Sequence, residues 1–393
     1  MKVLMLVPWN MFPINNGAAM RYYDTAEALS GRVQLEVISP KFKLPEYEGK
    51  GFIPTNIGFP IIYTDTLIDK IMGRISTTNP IVKGFQYFRP WQSIDILRNS
   101  KEIPDIVHAE HIFSALNGII LSRMWGKPLV LVLHNAEHLL IEQIHGKALG
   151  RLSKFLMKYL LKWVDKVVCV SENDREAVRK DLGIDEIEVV PNSINLRRYQ
   201  ATKADIDAEK NKLGFIRDRA IVFFHGLLSY PANSEAVNII EQRIAPRVLR
   251  SNKNVIFLIA GANPPPRNTN EEGIRFIGSV ERIEPYIQMA DVCIACLVRG
   301  SGTKLKVLEY MASSRAVVAT SKAIEGIDVT EAKDIYIRDD WNEFADVVLM
   351  LLSKPAERIR LGQEAKHLIE SKYNWDLNAE LLLRIYKSLL QGV

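Results

Sequence analysis

One short stretch, RGSGTKLKVLEY at 299–310, concentrates residue types that suit an anion. Gly300 and Gly302 permit a sharp turn and let a ligand approach the backbone closely. Lys304 and Lys306 follow at the predicted start of a helix, where free N–H groups and the helix dipole attract negative charge. A hydrogen bond to a charged group contributes about 1.5–3 kcal/mol, more than the dipole alone. The pattern therefore predicts a diphosphate site.

Glu309 lies three residues after Lys306, on the same face of the predicted helix 303–313. A carboxylate does not hold phosphate, but it accepts hydrogen bonds from sugar hydroxyls. The pair therefore suits a nucleoside diphosphate whose ribose lies one turn into the helix. The alternative is an ion pair on a solvated surface helix, which has no use for the two glycines. A Walker loop is excluded because the order G-K-[ST] is missing.

Two series of elements must position these residues. Short apolar runs alternate with helical patterns, which predicts parallel sheets with crossover helices. The predicted strands of the first series are 2–8, 33–39, 105–109, 128–134, 166–170 and 188–191, with helices near 18–30, 112–125, 147–164 and 172–182. After a charge-dense stretch, the second series has predicted strands at 220–226, 255–261, 274–278, 291–297, 316–320 and 334–337. We therefore predict an α/β chain of two tandem Rossmann-like, doubly wound domains, with ligands at the strand ends that face a cleft.

Composition excludes several other classes of protein. The 393 residues are 47% apolar and 25% charged, as in a soluble two-domain protein. The net charge of +5 tolerates an anionic ligand or a membrane surface but is too small for a nucleic-acid-binding protein. The first residues, MKVLMLVPW, lack a cleavage site and predict a buried strand, and no apolar run is long enough to span a bilayer. Cys293 and Cys296 point to opposite faces of a predicted strand, so we expect buried thiols in a cytoplasmic protein.

Four motifs carry a family resemblance. The stretch SGTKLKVLEYMASSRAVVAT resembles the signature E-G-F-G-x-x-x-x-E and A-M-A-x-G-x-P-V-V of the retaining glycosyltransferases of family 4, which have the GT-B fold. VVPNSIN resembles their V-I-P-N-G-V-D, NNGAAMRYY their glycine-plus-arginine element, and VLHNAE their histidine-bearing strand end. HGLLSYPAN and RGSGTKLKVLE are most similar to an exopolysaccharide-type branch of bacterial and archaeal sugar transferases. The resemblance covers most of the chain and is weakest over 40–100.

The resemblance implies a reaction and a division of the chain. The reaction is transfer of a sugar from a UDP- or GDP-sugar to a glycan or lipid-linked acceptor, with retention, without a further cofactor, in polysaccharide biosynthesis. Residues 1–195 would form the acceptor-side domain, 196–218 a linker, 219–373 the nucleotide-sugar donor domain, and 374–393 a helix packing back toward the first domain.

The expected site residues follow from the same resemblance and from the predicted strand ends. His134 would contact the donor sugar near the reacting carbon, with Lys306 and Glu309 as the other catalytic residues. The residues expected to bind the nucleotide sugar are Gly17, Arg21, Ser279, Val280, Arg299, Ser301, Gly302, Thr303, Lys304, Lys306 and Glu309.

Two departures from the family pattern bear on activity. Ser301 stands where the signature has its first glutamate, which helps to hold the donor sugar. The usual arginine and K-G pair are absent from HGLLSYPANSEA, so we assign the diphosphate to Lys306, with Lys304 and Arg299 in support. A GT-B-fold sugar-nucleotide epimerase and a non-catalytic nucleotide-sugar-binding partner therefore remain alternatives.

Three further features of the sequence have a structural as well as a functional interpretation. His108, Glu110 and His111 end a predicted strand and could line the acceptor side, but capping or core contacts fit them equally well. The helix 147–164 carries a stripe of basic residues opposite Leu152, Phe155, Leu156, Tyr159 and Trp163. This pattern is typical either of peripheral contact with the inner face of a membrane or, the interpretation we favour, of an ordinary helix with a solvated lysine face. The string Asp205-Ile206-Asp207 follows no strand end, so we predict no metal site.

Overall fold

A computed structural model describes the chain except for residues 13, 15, 41–56, 65–88, 90, 101, 215–218, 264–272, 301 and 392–393. The first half contains a seven-stranded sheet in which every pair is parallel. Its strands are β1 (Lys2–Leu6), β2 (Gln34–Pro40), β3 (Ile61–Thr64), β4 (Ile106–Glu110), β5 (Leu129–Leu133), β6 (Lys166–Cys169) and β7 (Ile187–Val189). Their order is β3-β2-β1-β4-β5-β6-β7, that of a doubly wound sheet.

The second half repeats this architecture with six parallel strands. These strands are β8 (Ala220–His225), β9 (Val255–Ala260), β10 (Ile274–Gly278), β11 (Val292–Ala295), β12 (Ala316–Ala319) and β13 (Tyr336–Ile337). In both sheets the order reverses beside the first strand of the half, β1 or β8. The predicted fold class of two tandem Rossmann-like domains is confirmed.

Helices connect the strands and cover both faces of each sheet. In the first half they are α1 (Gly17–Ser30), α2 (Gln92–Asn99), a 3₁₀ turn (Ile112–Ser114), α3 (Ala115–Trp125), α4 (Glu137–His145), α5 (Lys147–Leu161) and α6 (Glu172–Leu182). In the second they are α7 (Lys203–Lys212), α8 (Pro231–Ile239), a π-helical segment (Ile240–Ile244), α9 (Ala245–Ser251), α10 (Glu284–Met289), α11 (Leu305–Ala312), α12 (Trp341–Ser353), α13 (Pro355–Lys372) and α14 (Trp375–Gln391). The sequence patterns missed β3, α2 and α4.

The chain crosses between the halves at two adjacent points. The N–H of Ile194 donates to the carbonyl of Tyr373 at 2.8 Å, and the N–H of Trp375 donates back to Ile194 at 3.3 Å. Beyond this crossing α14 packs on the first half, where Trp375 and Tyr386 share a buried apolar cluster with residues of β1 and α1. The last helix thereby completes the core of the first domain.

The outward face of α5 differs from the interpretation we favoured. Its buried residues are Gly150, Met157 and Leu161, whereas the large apolar side chains expected to pack on the core are exposed. The physical reason is Gly150. A methyl group at this position would lie 2.5 Å from Cβ of Glu142, so the missing side chain lets α5 approach α4 closely along its small-residue side.

The buried contact between Tyr386 and His108 supplies a test of how α14 is held. The two residues are joined by a 2.6 Å hydrogen bond from the phenol to Nδ1. Tyr386→Phe leaves that nitrogen buried without a partner and should lower the free energy of unfolding by about 1–3 kcal/mol. Urea denaturation measures the change. Tyr159→Phe, at a side chain 57% exposed, is the matched control and should change stability by less than about 0.5 kcal/mol. Equal stability of the two variants would contradict the role of this contact.

Candidate active site

One side of the site is formed by the first half of the chain, and a buried carboxylate holds its polar residues together. Glu110 ends β4 with no exposed surface. Its Oε1 accepts from Nε2 of His108 at 3.0 Å, and its Oε2 accepts from Nε2 of His134 at 2.5 Å and from Nε of Arg21 at 3.3 Å. Burial alone would raise the pKa of Glu110, but the charge of Arg21 and the two histidine hydrogen bonds outweigh it and hold the pKa well below its usual value. Glu110 is therefore ionised.

Arg21 is an internal member of this cluster. Its Nη1 donates to Oδ1 of Asn192 at 2.6 Å, and its guanidinium lies 5.3 Å from the ring centre of Trp375. Its Nη2 is buried and has no hydrogen-bond partner in the described part of the chain. Arg21, which the sequence predicts to bind the nucleotide sugar, thus holds this buried cluster together and has one nitrogen, Nη2, that is not used by it.

His134 follows β5 directly, and the hydrogen bond to Glu110 fixes the position of its ring. An ionised carboxylate only accepts hydrogen bonds, so Nε2 of His134 carries a proton. Burial lowers the pKa of His134, which favours the neutral ring. Nδ1 is then the ring atom able to accept a hydrogen bond from a hydroxyl. The ring centres of Tyr22 and His111 lie 5.3 and 5.2 Å from the ring centre of His134, and this packing restricts the orientation of the His134 ring.

Two neighbours of His134 have shifted ionisation. His111 caps the 3₁₀ turn by accepting from the N–H of Phe113, and burial holds its pKa well below the usual value. Glu137 begins α4, its Oε2 lies 3.6 Å from Nε2 of His111, and burial raises its pKa to about 7. Sequence reasoning missed Glu137, although it is the last residue of VLHNAE.

The loop before α11 forms the second-half side. Gly300 and Gly302 have φ values of 106° and 67°, which other residues rarely adopt. Nζ of Lys304 donates to the carbonyl of Gly302 at 2.5 Å, and burial lowers the pKa of Lys304 to about 8. Because Lys304 is extended, α11 begins at Leu305 rather than at Thr303 as predicted. The hydroxyl of Thr303 is buried without a partner among the described residues, and the predicted Ser301 lies outside them.

Lys306 is half-buried, in the first turn of α11. Nζ donates to Oδ1 of Asn233 at 2.6 Å and lies 4.2 Å from the ring centre of Phe224. Both partners are neutral, and no carboxylate of the described residues forms an ion pair with this lysine. Burial lowers the pKa of Lys306 to about 7. The charged form of Lys306 is therefore disfavoured in the free protein, and a bound anion would stabilise it.

Glu309 is buried one turn further in. Its Oε1 accepts from the hydroxyl of Tyr199 at 2.9 Å, and its Oε2 lies 2.9 Å from Nε2 of His225. Burial raises the pKa of Glu309, but His225, Tyr199 and Lys306 together outweigh it, so the pKa is lowered. Both oxygens have protein partners, and a sugar hydroxyl would have to use their remaining lone pairs. The proposed ribose contact stays a prediction.

Backbone contacts bring the two sides together. A methyl group on Gly302 would lie 3.2 Å from the carbonyl oxygen of His134, and one on Gly17 would lie 3.3 Å from Cδ1 of Leu305. Three predicted residues, His134, Gly17 and Gly302, therefore meet at one cleft. Other predicted residues lie at its margin or beyond it: Arg299 is exposed and paired with Glu235, while Ser279 and Val280 follow the edge strand β10.

No group of three metal-ligating side chains that could hold an ion is found in the described residues. Asp205 of the D-x-D string has another use: it forms a capping box with Thr202 at the start of α7. The carboxylate of Asp205 is thus committed to capping the N-terminus of α7.

Sequence comparison identifies relatives of both halves. Residues 15–198 match the family model Glycosyltransferase Family 4, and residues 219–354 match Glycosyl transferases group 1. The chain is 25% identical to the phosphatidylinositol N-acetylglucosaminyltransferase GPI3 subunit of Saccharomyces cerevisiae, over 60% of this chain and 53% of that one. It is 24% identical to alpha-maltose-1-phosphate synthase of Mycolicibacterium smegmatis, over 80% and 87%. It is 27% identical to UDP-Gal:alpha-D-GlcNAc-diphosphoundecaprenol alpha-1,3-galactosyltransferase of Escherichia coli, over 41% of each chain. The match thus spans about half of the yeast subunit.

Solved structures share the whole fold. Sucrose-phosphate synthase from Thermosynechococcus elongatus superposes with a TM-score of 0.77 at 15% identity, over 100% of both chains. Anabaena HepE in complex with UDP and glucose gives 0.73 at 14% identity, over 99% of this chain and 100% of that one. At these identities the similarity establishes the GT-B arrangement of the two domains. The chain belongs to the glycosyltransferases, with a Glycosyltransferase Family 4 region in its first half and a Glycosyl transferases group 1 region in its second.

Proposed function

We propose that the protein transfers a sugar from a UDP- or GDP-sugar to an acceptor bound on the side of His134. The observation that carries this proposal is Lys306, a half-buried cation with neutral partners, on a helix whose preceding loop lies against the His134 strand end. A diphosphate supplies the missing negative charge. HepE, whose fold is shared, binds UDP and glucose, which supports a nucleotide-sugar donor.

Stabilisation of the leaving diphosphate would be the main catalytic effect. Negative charge grows on the diphosphate as the bond to the sugar breaks, and Lys306, Lys304 and the start of α11 are placed to stabilise it. Removal of one such fixed donor typically costs about 10²–10³-fold in rate. His134 would orient the sugar by accepting a hydroxyl hydrogen bond at Nδ1.

We further propose retention at the anomeric carbon without a covalent intermediate. Glu110 is the carboxylate held against His134, but it is fully buried and its oxygens accept from His108, His134 and Arg21. A carboxylate committed in this way is a poor nucleophile. The proposed acceptor is a glycan or a lipid-linked sugar, because the yeast and E. coli relatives are named for phosphatidylinositol and diphosphoundecaprenol acceptors.

Incubation with radiolabelled UDP- and GDP-sugars and a panel of acceptors tests the proposal. Label moving to an acceptor supports a transferase, whereas an isomerised free sugar nucleotide would indicate an epimerase. Binding of the nucleotide sugar without any turnover would indicate a non-catalytic partner. Lys306→Met, which keeps the approximate length of the side chain without its charge, is the control and should reduce transfer by about 10²–10³-fold.

The two lysines should contribute unequally. Lys306→Ala should reduce turnover by about 10²–10³-fold, because its ammonium has no carboxylate partner in the part of the chain that the structure describes and is free to bind the diphosphate. Lys304→Ala should reduce turnover less, because that ammonium also fastens the Gly302 carbonyl. Steady-state kinetics at saturating donor measure both. Equal and small losses of turnover in the two variants would show that both lysines are solvated surface residues that do not bind the diphosphate.

His134 should affect transfer more than nucleotide binding, since its strand belongs to the opposite domain. His134→Ala should leave UDP binding in calorimetry nearly unchanged while turnover falls by about 10²-fold. Circular dichroism checks that the variant, which leaves Glu110 one partner short, remains folded. A folded variant with full activity would contradict the assignment.

Transfer should not require a divalent cation carried by the D-x-D string. The lysines near α11 already supply positive charge, and Asp205 caps α7. Activity should persist in excess EDTA and in Asp205→Asn with Asp207→Asn, where the amide keeps the cap. Loss of activity with EDTA and its recovery with Mg²⁺ or Mn²⁺ would show that the phosphate site is misassigned.

A further inference from the structure

The helix α5 presents a continuous apolar face to the outside of the molecule. Leu152, Phe155, Leu156 and Tyr159 recur at spacings of three and four residues and therefore share one side of the helix, and Trp163 lies two residues beyond its end. Their exposed fractions run from 44% to 69%. Two more exposed apolar residues, Leu139 and Ile144, lie on the neighbouring helix α4. Single exposed apolar residues are ordinary, but a cluster of this size marks a contact surface.

The face is not an unfilled part of the protein core. The opposite side of α5 already packs inward through Gly150, Met157 and Leu161, and its close approach to α4 depends on Gly150. The helix therefore has two apolar sides, of which only one is used by the fold. An ordinary surface helix has polar residues where α5 has leucine, phenylalanine and tyrosine.

A basic stripe borders the exposed apolar face. Helical spacing places Lys147, Arg151, Lys154 and Lys158 on one line along α5, Lys162 follows directly after its last residue, and the segment 147–164 contains no acidic residue. Lys154 pairs with Asp181 at 2.7 Å. The other four are exposed, and none of them has an ion-pair partner among the residues described. Four uncompensated positive charges therefore flank the apolar surface.

We propose that α5 docks this protein on the surface of an anionic lipid bilayer. The helix would lie in the plane of the interface, with its apolar face in the boundary between headgroups and acyl chains and its lysines against lipid phosphates. Tyrosine and tryptophan, each with an apolar ring and a polar atom, suit this boundary. Among the described residues no helix is long and apolar enough to cross a bilayer.

The charge pattern favours lipid over a second copy of the chain. A two-fold dimer through this face would place the same surface on both sides of the interface. The two basic stripes would then face apolar or basic surface of the partner, since the segment offers no carboxylate to pair with them. An anionic bilayer supplies both the apolar layer and the negative charge.

The position of the surface connects it to the candidate site. The helix α4, against which α5 packs, begins at Glu137, three residues after His134. Docking through α5 would therefore hold the acceptor side of the cleft near the headgroups. This last step rests on the proposed function and deepens it, since it names a lipid-linked acceptor that stays in the membrane. Docking itself does not depend on transfer.

Co-sedimentation of the full-length protein with vesicles tests the docking. The protein should bind vesicles of phosphatidylcholine with phosphatidylglycerol and bind vesicles of phosphatidylcholine alone much more weakly. Replacement of Lys147, Arg151, Lys158 and Lys162 by glutamine should weaken binding to the anionic vesicles by at least about a hundredfold. Phe155→Ser with Tyr159→Ser should weaken it by about tenfold or more.

Matched variants distinguish binding through this surface from nonspecific effects of net charge and of exposed apolar area. Glutamine at four exposed basic residues elsewhere (Arg243, Lys253, Lys333 and Lys387) gives the same net charge and should leave vesicle binding unchanged. Ile359→Ser changes a side chain that is 60% exposed in the second half of the chain, and it is the control for the loss of exposed apolar area.

Three results would overturn the proposal. One is no binding of the wild type to anionic vesicles, and another is equal loss of binding in the α5 variants and their controls. The third is a dimer in light scattering that Phe155→Ser dissociates, which would assign the face to a second copy. Transfer to a water-soluble acceptor is measured in parallel and should be unchanged by Phe155→Ser. Failure of that transfer in the wild type would count against the proposed function and not against docking.

Discussion

The buried carboxylate of Glu110 is the interaction on which the first half of the molecule depends. It joins Arg21 from α1, His108 from its own strand and His134 from β5, and through His108 it reaches Tyr386 on the last helix. An ionised group without exposed surface is tolerated only when hydrogen bonds and opposite charge match it, and breaking such a set by removing one partner typically costs about 3–5 kcal/mol. Because both oxygens of Glu110 are matched, the histidine at the cleft is held in one orientation and one tautomer before any ligand binds.

The opposite side of the cleft is built differently. Glu309 is matched by Tyr199 and His225, but among the described residues the partners of Lys306 beside it are an amide oxygen and an aromatic ring. A lysine whose pKa has fallen to about 7 is destabilised in its charged form by its surroundings. That imbalance is relieved by an anion, so ligand binding and the ionisation of Lys306 are linked. One side of the cleft is thus complete in the free protein, and the other is completed by the donor.

Much of this arrangement could be predicted from sequence, for local reasons. Alternating apolar and helical patterns reveal the strands and crossovers, and glycines followed by lysines mark the loop before α11. The Glu110 cluster could not be assigned in this way, because its hydrogen-bonded pairs are separated by up to 278 residues and meet only when the sheet order is known. His225 and Glu137 carry the same signal as His134, a titratable residue at or just beyond a strand end, but nothing local shows which carboxylate each histidine faces. The outward apolar face of α5 differs from the prediction because periodicity shows that a helix has an apolar side, not which side packs. The side was decided by Gly150.

The most direct test of this account is the proton balance of nucleotide binding. At about pH 8 the free protein should hold Lys306 mainly neutral, and a bound diphosphate should raise its pKa again, so binding should take up a proton. Titration of UDP and GDP into the protein, by calorimetry in buffers of different ionisation enthalpy, measures that uptake. The account predicts uptake of a large part of one proton by the wild type and a clear reduction in Lys306→Met. Tight nucleotide binding without proton uptake, or with the same uptake in Lys306→Met, would contradict the claim that the diphosphate completes this site.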